Sequence, residues 1–294
     1  MTPARLGEPV PTLREVLERR LLLVTGKGGT GKSALAASLA VAAGRRGMRV
    51  LALAMGPGAG LARHLGLPRL ESTRRRHGDV HAALVDPAAA LDEYLHLKVR
   101  VPRFAAVSRI FAAVVDTVPG VHDTVMIGKV VFESTRPQWD LVVVDAPPTG
   151  QVRSFLAAPA TIAALVPGGA VRDQAAWLQS VLADARHTGV VVVATPEELP
   201  VIEATSFRNE IEGTVAVAAT VANKVLPAAD FDALAVATAP VSAAAEAGAL
   251  HLALASRQHD HLEALHPDRV VPYLFGMHTP EETAARLADL WVRP

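Results

Sequence analysis

Gly26-Lys27-Gly28-Gly29-Thr30-Gly31-Lys32-Ser33 follows a short apolar run, Leu21 to Val24, and precedes an alanine-rich, helix-forming stretch from Ala34 to Arg46. The G-x-x-x-x-G-K-S spacing in a strand-to-helix setting predicts a phosphate-binding loop. Backbone N–H groups of such a loop crowd a di- or triphosphate, its lysine, here Lys32, reaches the β/γ oxygens, and its serine, here Ser33, offers a hydroxyl to Mg²⁺. Gly26 to Ser33 and the following Ala34 are therefore the candidate nucleotide-contacting residues, for ATP or ADP. A second lysine, Lys27, is not needed by an ordinary loop of this type. The K-G-G-x-G-K-S form uses it to reach the phosphates of a partner subunit, in the manner of an arginine finger.

Composition bounds the rest. The length, 294 residues, fits one or two domains, and the hydrophobic half of the chain is enough for a large core. Lys+Arg and Asp+Glu both number 29, so no bulk basic field attracts nucleic acid or anionic lipid. The Arg74-Arg75-Arg76 run then reads as a solvated loop. With no cysteine, disulfides, thiolate catalysis and Cys-ligated zinc are excluded. Only five of the cationic residues are lysines, and two of these lie in the loop, where a compact ammonium suits phosphate better than a planar guanidinium. Arg5, Glu8, Arg14, Glu15 and Glu18 precede the first apolar run, which is the wrong build for a signal peptide and leads to the expectation of a cytoplasmic protein. The uncharged stretch Ser154 to Val171 has nearly the length of a membrane span. Pro159, Pro167, Gly168 and Gly169 interrupt it, which predicts a buried helix followed by a loop, no transmembrane segment and at most peripheral membrane contact.

Apolar β-rich runs alternate with helical patterns along the chain: Leu21 to Thr25, Val50 to Ala54, Val80 to Val85, Leu141 to Val144, Val190 to Ala194, Val215 to Ala222 and Val270 to Leu274. This rhythm predicts an α/β fold with a doubly wound, mostly parallel sheet, whose strands are apolar throughout because helices cover both faces. Residues 1–19 read as an N-terminal extension and 20–294 as a single P-loop NTPase domain. Residues 88–135 break the rhythm and read as a helical insertion. Its stripe of Phe104, Val107, Ile110, Phe111, Val114 and Val115 suits ordinary core, with a groove for a hydrophobic client protein as the alternative.

Leu141-Val142-Val143-Val144-Asp145 ends a buried strand in a carboxylate, placed to hold Mg²⁺ or its water as a Walker B Asp does. Pro147-Pro148-Thr149-Gly150 follows, and suits a loop that changes conformation with the γ-phosphate. Asn223 ends another apolar run; its amide can present a donor and an acceptor together to adenine, although a turn residue is the plainer reading.

Together these residues resemble the ArsA family, which includes the arsenite-efflux ATPase and the ATPases that target tail-anchored membrane proteins, within the wider group containing MinD and ParA. The resemblance rests on Gly26 to Ser33, on Asp145-Ala146-Pro147-Pro148-Thr149-Gly150, and on Arg153-Ser154-Phe155-Leu156. Further matches are Pro119-Gly120 with Asp123, Thr195-Pro196-Glu197-Glu198-Leu199-Pro200, Asn223, and Val271-Pro272-Tyr273. The Asp-Ala-Pro-Pro-Thr-Gly spelling looks most like one member of the paired bacterial ArsA-like proteins. What the resemblance implies is an ATPase using ATP and Mg²⁺, catalytic roles for Lys27, Lys32 and Asp145, and nucleotide contacts from Asn223, Pro272 and Tyr273. It also implies a homodimer, or a heterodimer with an ArsA-like paralogue, that closes over nucleotide.

The sequence departs from the family where Asp-Pro-Ala-His is normal after the second strand, the carboxylate orienting the attacking water. This chain has Ala54-Met55-Gly56-Pro57-Gly58-Ala59-Gly60. A lost water-positioning group costs about 10²- to 10⁴-fold in rate, so weak hydrolysis is expected. His64, Glu71 and Asp86 are the nearest replacements and read as structural. The lack of cysteine removes the arsenite-binding thiolates and the zinc clamp known among relatives. A fully competent ATPase switch acting on a client and a MinD/ParA-like positioning ATPase are the alternatives.

Overall fold

The computed structural model describes residues 13–94, 120–227 and 243–292. Ten helices and eight strands are described in chain order: α1 Leu13–Leu17, β1 Leu21–Gly26, α2 Lys32–Gly44, β2 Val50–Ala54, α3 Ala59–His64, β3 Arg75–His77, β4 Val80–Leu84, α4 Pro87–Tyr94 and α5 Val121–Thr135. There follow β5 Leu141–Asp145, α6 Thr149–Leu165, α7 Ala170–Ala183, β6 Thr188–Ala194, α8 Glu198–Glu210, β7 Val217–Val225, α9 Ala243–Leu265, β8 Arg269–Pro272 and α10 Pro280–Val292. The strands form one sheet in the order β3-β4-β2-β5-β1-β6-β7-β8, parallel except for β3. The expected doubly wound, mostly parallel sheet is present.

Strand side chains alternate between two cores. Leu22, Val24, Val50, Ala52, Leu141 and Val143 meet α2, α3 and α10 on one face, while Leu21, Leu23, Leu51, Leu53, Val142 and Val144 meet α5 to α8 on the other. Both sets are buried, which is why these strands read as unbroken apolar runs. The alanines of α2 are buried almost all round, and small side chains let this helix sit close between the sheet and α10. Trp291 of α10 donates from Nε1 to Ser38 Oγ at 2.9 Å inside that contact. Thr279 and Glu282 cap α10 reciprocally, Glu282 N to Thr279 Oγ1 at 3.2 Å and Thr279 N to Glu282 Oε2 at 2.9 Å. Its apolar face, Ala284, Leu287, Ala288 and Trp291, is used in the core. Val16 and Leu17 of α1 join the same cluster, so the end of the N-terminal extension is part of the folded body.

Two expectations need correction. Arg75 and Arg76 lie in the edge strand β3, paired antiparallel with β4, and Arg74 makes an ion pair with Glu133, whose side chain is 1% exposed. A strand at a sheet edge needs backbone partners on one side only and carries no apolar signature, so a basic run can occupy it. Pro159, read as an interruption, lies inside α6 and is buried. Packing of Val152, Phe155, Leu156 and Ile162 along the same helix outweighs the roughly 3 kcal/mol that an interior proline costs. Val166 to Gly169 then form the connection to α7, as expected. Of the insertion, α4 and α5 are described; the Phe104 to Val115 stripe and Pro119 lie outside the described residues. Among the described residues no helix is long and apolar enough to cross a membrane.

Candidate functional site

β1 lies between β5 and β6, and its last residue, Gly26, opens the loop into α2. A Cβ on Gly26 would stand 2.0 Å from the Val193 carbonyl oxygen, so only glycine lets the chain leave the sheet there. Gly31 has φ 95, and a Cβ on it would stand 2.3 Å from Asn223 Nδ2. Within the loop the Lys27 carbonyl accepts from Thr30 Oγ1 at 2.9 Å and from Lys32 Nζ at 3.1 Å. Lys32 therefore already lies along the loop. Burial pushes its pKa down, partly countered by the nearby Asp145 carboxylate.

Asp145 ends β5 directly beside Val24 of β1. Burial pushes its pKa up, opposed by a hydrogen bond from Ser33 and by the charge of Lys32. Thr25 Oγ1 donates to the Pro147 carbonyl at 2.7 Å, and Ala146 N to the Val24 carbonyl at 3.0 Å, tying the Asp-Ala-Pro-Pro segment to the base of the loop. Ser33 in the first turn of α2 and Asp145 at the carboxyl end of β5, a hydroxyl and a carboxylate in contact, supply the hard oxygens that Mg²⁺ prefers.

The far side of the loop is braced by β7. Asn223 is buried and donates from Nδ2 to the Thr30 carbonyl at 2.7 Å, which leaves its oxygen as an acceptor. Lys224, at the uncommon φ of 60, donates from Nζ to the Gly29 carbonyl at 2.9 Å. Sequence reading missed Lys224; its signal was a scarce lysine next to Asn223. Pro272 ends β8 opposite Val225, and Tyr273 N donates to the Val225 carbonyl at 2.7 Å, so both sit at the same end of the sheet as the loop. The Tyr273 ring is half-exposed and lies 4.9 Å from that of Phe275.

Lys27 forms an ion pair with Glu203 of α8, and the other Glu203 oxygen faces Thr149 Oγ1 at 3.5 Å. One turn further, Arg153 of α6 pairs with Glu210 of α8. Glu203 was also missed, because an acid 176 positions from its partner gives no sequence signal. Met55 is buried in the core below α5 and α6, and its N–H donates to the Asp145 carbonyl at 3.1 Å. Gly60 packs so closely on Ser33 that a Cβ would stand 2.5 Å from Ser33 Oγ. The segment lacking the expected carboxylate thus lies directly over the Ser33–Asp145 pair. Glu71 pairs with Arg69 and Arg75, and Asp86 accepts from Ala89 N at 2.7 Å at the start of α4, so both serve structure. His64 Nδ1 lies 2.8 Å from the Gly60 carbonyl, and burial holds the imidazole pKa below its ordinary value.

A glycine-framed loop at the carboxyl end of a central parallel strand, with a half-buried lysine and a Ser–Asp pair at its mouth, defines a P-loop nucleotide-binding protein. The family model described as anion-transporting ATPase (ArsA ATPase) matches residues 19–168. The chain belongs to that family. It is 32% identical over 225 residues to ATPase BagA of Mycobacterium tuberculosis (strain ATCC 25618 / H37Rv), covering 71% of this chain and 66% of that protein. It is 27% identical over 161 residues to ATPase get3 of Schizosaccharomyces japonicus, covering 53% of this chain and 50% of that one. The matched part is thus just under two thirds of the first relative's length and half of the second's.

Proposed function

We propose that this chain binds MgATP as one subunit of a nucleotide-dependent dimer, either with its own copy or with an ArsA-like paralogue, and hydrolyses ATP weakly by itself. The observation that carries the reading is the Lys32, Ser33 and Asp145 cluster at the mouth of the loop. A dehydrated ammonium and a dehydrated carboxylate gain most from a phosphate and a divalent cation respectively. Ser33 and Asp145 would hold Mg²⁺, which when bound neutralises phosphate charge. Loop N–H groups and Lys32 orient the β/γ-phosphates, Asn223 Oδ1 would accept from the base, and Pro272 and Tyr273 border it. Lys27 supplies charge across the dimer. Weak turnover follows from Met55 to Gly60, which carry no group to fix the attacking water or take its proton.

A second reading, a competent ATPase that moves a client protein, is favoured by one observation. The imidazole of His64, whose pKa burial lowers, stands on the helix whose Gly60 touches Ser33. Calorimetry with MgATP and steady-state phosphate release from the isolated chain test both readings. Binding with slow release supports the first; brisk release lost in His64→Ala supports the second. An absence of MgATP binding overturns both.

A further inference from the structure

A cavity of about 570 Å³ lies at the amino ends of β2 and β4, at the opposite end of the sheet from the phosphate loop. Arg49, Arg74, Arg76, Asp79, His81 and Trp139 are among its lining residues. Each arginine is anchored through one part of its guanidinium. Arg49 donates through Nε and Nη2 to Asp140 at 3.0 and 2.6 Å. Arg74 donates through Nη2 to Glu133 at 2.7 Å, with its Cζ 5.6 Å from the Trp139 ring centre. Arg76 donates through Nε to the Gly78 carbonyl at 2.9 Å, and among the described residues no carboxylate pairs with it. A guanidinium has five N–H donors, so each retains donors that its anchor does not use.

His81 lines the same wall. Its ring rests 5.1 Å from that of Trp139, and its Nδ1 is buried with no hydrogen-bond partner. Burial lowers its pKa first, and the charges of Arg76 and Arg74 lower it further, so the imidazole feels a positive field. Asp79 is the one acid among the residues of this wall.

From the convergence of three anchored arginines on one cavity, we infer a second ligand site, for a small hydroxylated oxyanion of the sugar-phosphate or hydroxycarboxylate class. The planar fork of arginine matches carboxylate and phosphate oxygens two at a time, and arginines already fixed lose little freedom on binding. The volume suits a metabolite-sized molecule. Asp79 would repel a bare anion and accepts from a hydroxyl, which is why the ligand carries both groups.

The test uses the full chain carrying Lys32→Ala, so that the phosphate loop does not compete, titrated by calorimetry with glucose 6-phosphate and, separately, citrate. Trp139 emission is followed in parallel. One of the two should bind with a dissociation constant below about 1 mM and change the emission. Adding Arg76→Ala, an exposed side chain on an edge strand, should weaken binding tenfold or more, whereas Arg257→Ala on α9 should leave it unchanged. Phosphate arms and carboxylate arms are told apart by which probe binds. No binding of either probe at 5 mM, or binding indifferent to Arg76→Ala, overturns the inference. Binding seen only when Lys32 is intact assigns the anion to the phosphate loop and overturns it equally. MgATP binding by the unmodified chain is measured separately, so a failure of the nucleotide reading leaves this result interpretable.

Discussion

The Lys27 ammonium is held within its own chain by the Glu203 carboxylate, and Glu203 at the same time faces Thr149, the first residue of the helix that follows the Asp145 loop. One acid thereby joins the phosphate loop, α6 and α8. Both partners are about a third exposed, so the pair contributes no more than about 1 kcal/mol. It is strong enough to place Lys27 and weak enough to exchange for a phosphate.

If Lys27 acts across a dimer, Lys27→Ala should leave MgATP affinity within about threefold, or ~0.7 kcal/mol. ATP-dependent dimerisation and turnover should fall, turnover by up to the ~10³-fold that trans cations supply. Glu203→Gln should act in the other direction, tightening ATP-dependent dimerisation by up to about fivefold, the worth of a partly exposed pair. In the double variant the Lys27→Ala behaviour should prevail. Light scattering with and without ATP reads all three; unchanged association in Lys27→Ala would return Lys27 to a purely local role.

Lys32→Ala should abolish measurable MgATP binding. It removes the loop's half-buried ammonium, which lies beside Asp145 and along the loop axis, and leaves the phosphates to backbone dipoles. Calorimetry is the check, and an affinity within about threefold of the unmodified chain contradicts the assignment of the loop.

The legible parts of this molecule were those whose cause is local. Leu141 to Asp145 announced a strand because both its faces are buried, and the glycines of the loop announced themselves because Gly26 and Gly31 meet other backbone and side-chain atoms within van der Waals distance. What stayed hidden depends on distant partners. Glu203 finds Lys27, Arg74 finds Glu133, and Asn223, for which a turn was the plainer sequence reading, lies within β7 and spends its amide nitrogen on the Thr30 carbonyl. Pro159 misled because a rule about isolated helices was applied to a helix fixed by tertiary packing.

Asp140 gives a pH prediction. Hydrogen bonds from the Arg49 side chain and backbone lower its pKa to about 2, from the ordinary 3.8. A carboxylate with a depressed folded pKa stabilises the protein fully above its unfolded value, and that contribution disappears as pH falls through about 2. Solvent screening at this exposed pair limits the contribution to under about 1 kcal/mol. The urea midpoint of Asp140→Asn should therefore lie below that of the unmodified chain at pH 6, with the gap closing between pH 4 and pH 2. A gap that stays constant with pH would mean the pair contributes through packing alone.

The segment over Ser33 makes the sharpest test of the weak-hydrolysis reading. Water is a poor nucleophile unless its approach is fixed and its proton accepted, and Met55, Gly56, Pro57, Gly58, Ala59 and Gly60 can do neither. Of these, Met55 is buried in the core, whereas Gly56 and Pro57 are exposed at the mouth of the site. A carboxylate at 55 would be forced into an apolar environment and should destabilise the fold, while one at 56 can face the nucleotide. The expected order of phosphate release is therefore Gly56→Asp above the unmodified chain, by about 10²-fold or more if the new group takes the water-positioning role, with Met55→Asp lowering the melting temperature and restoring little. Mixing the unmodified chain with an ArsA-like chain that carries its Asp should also raise release, because Lys27 remains available to the partner's transition state. Lys32→Ala in each background identifies contaminating activity. Brisk release by the unmodified chain alone, lost on Lys32→Ala, would place the competent-ATPase reading first and direct attention to His64.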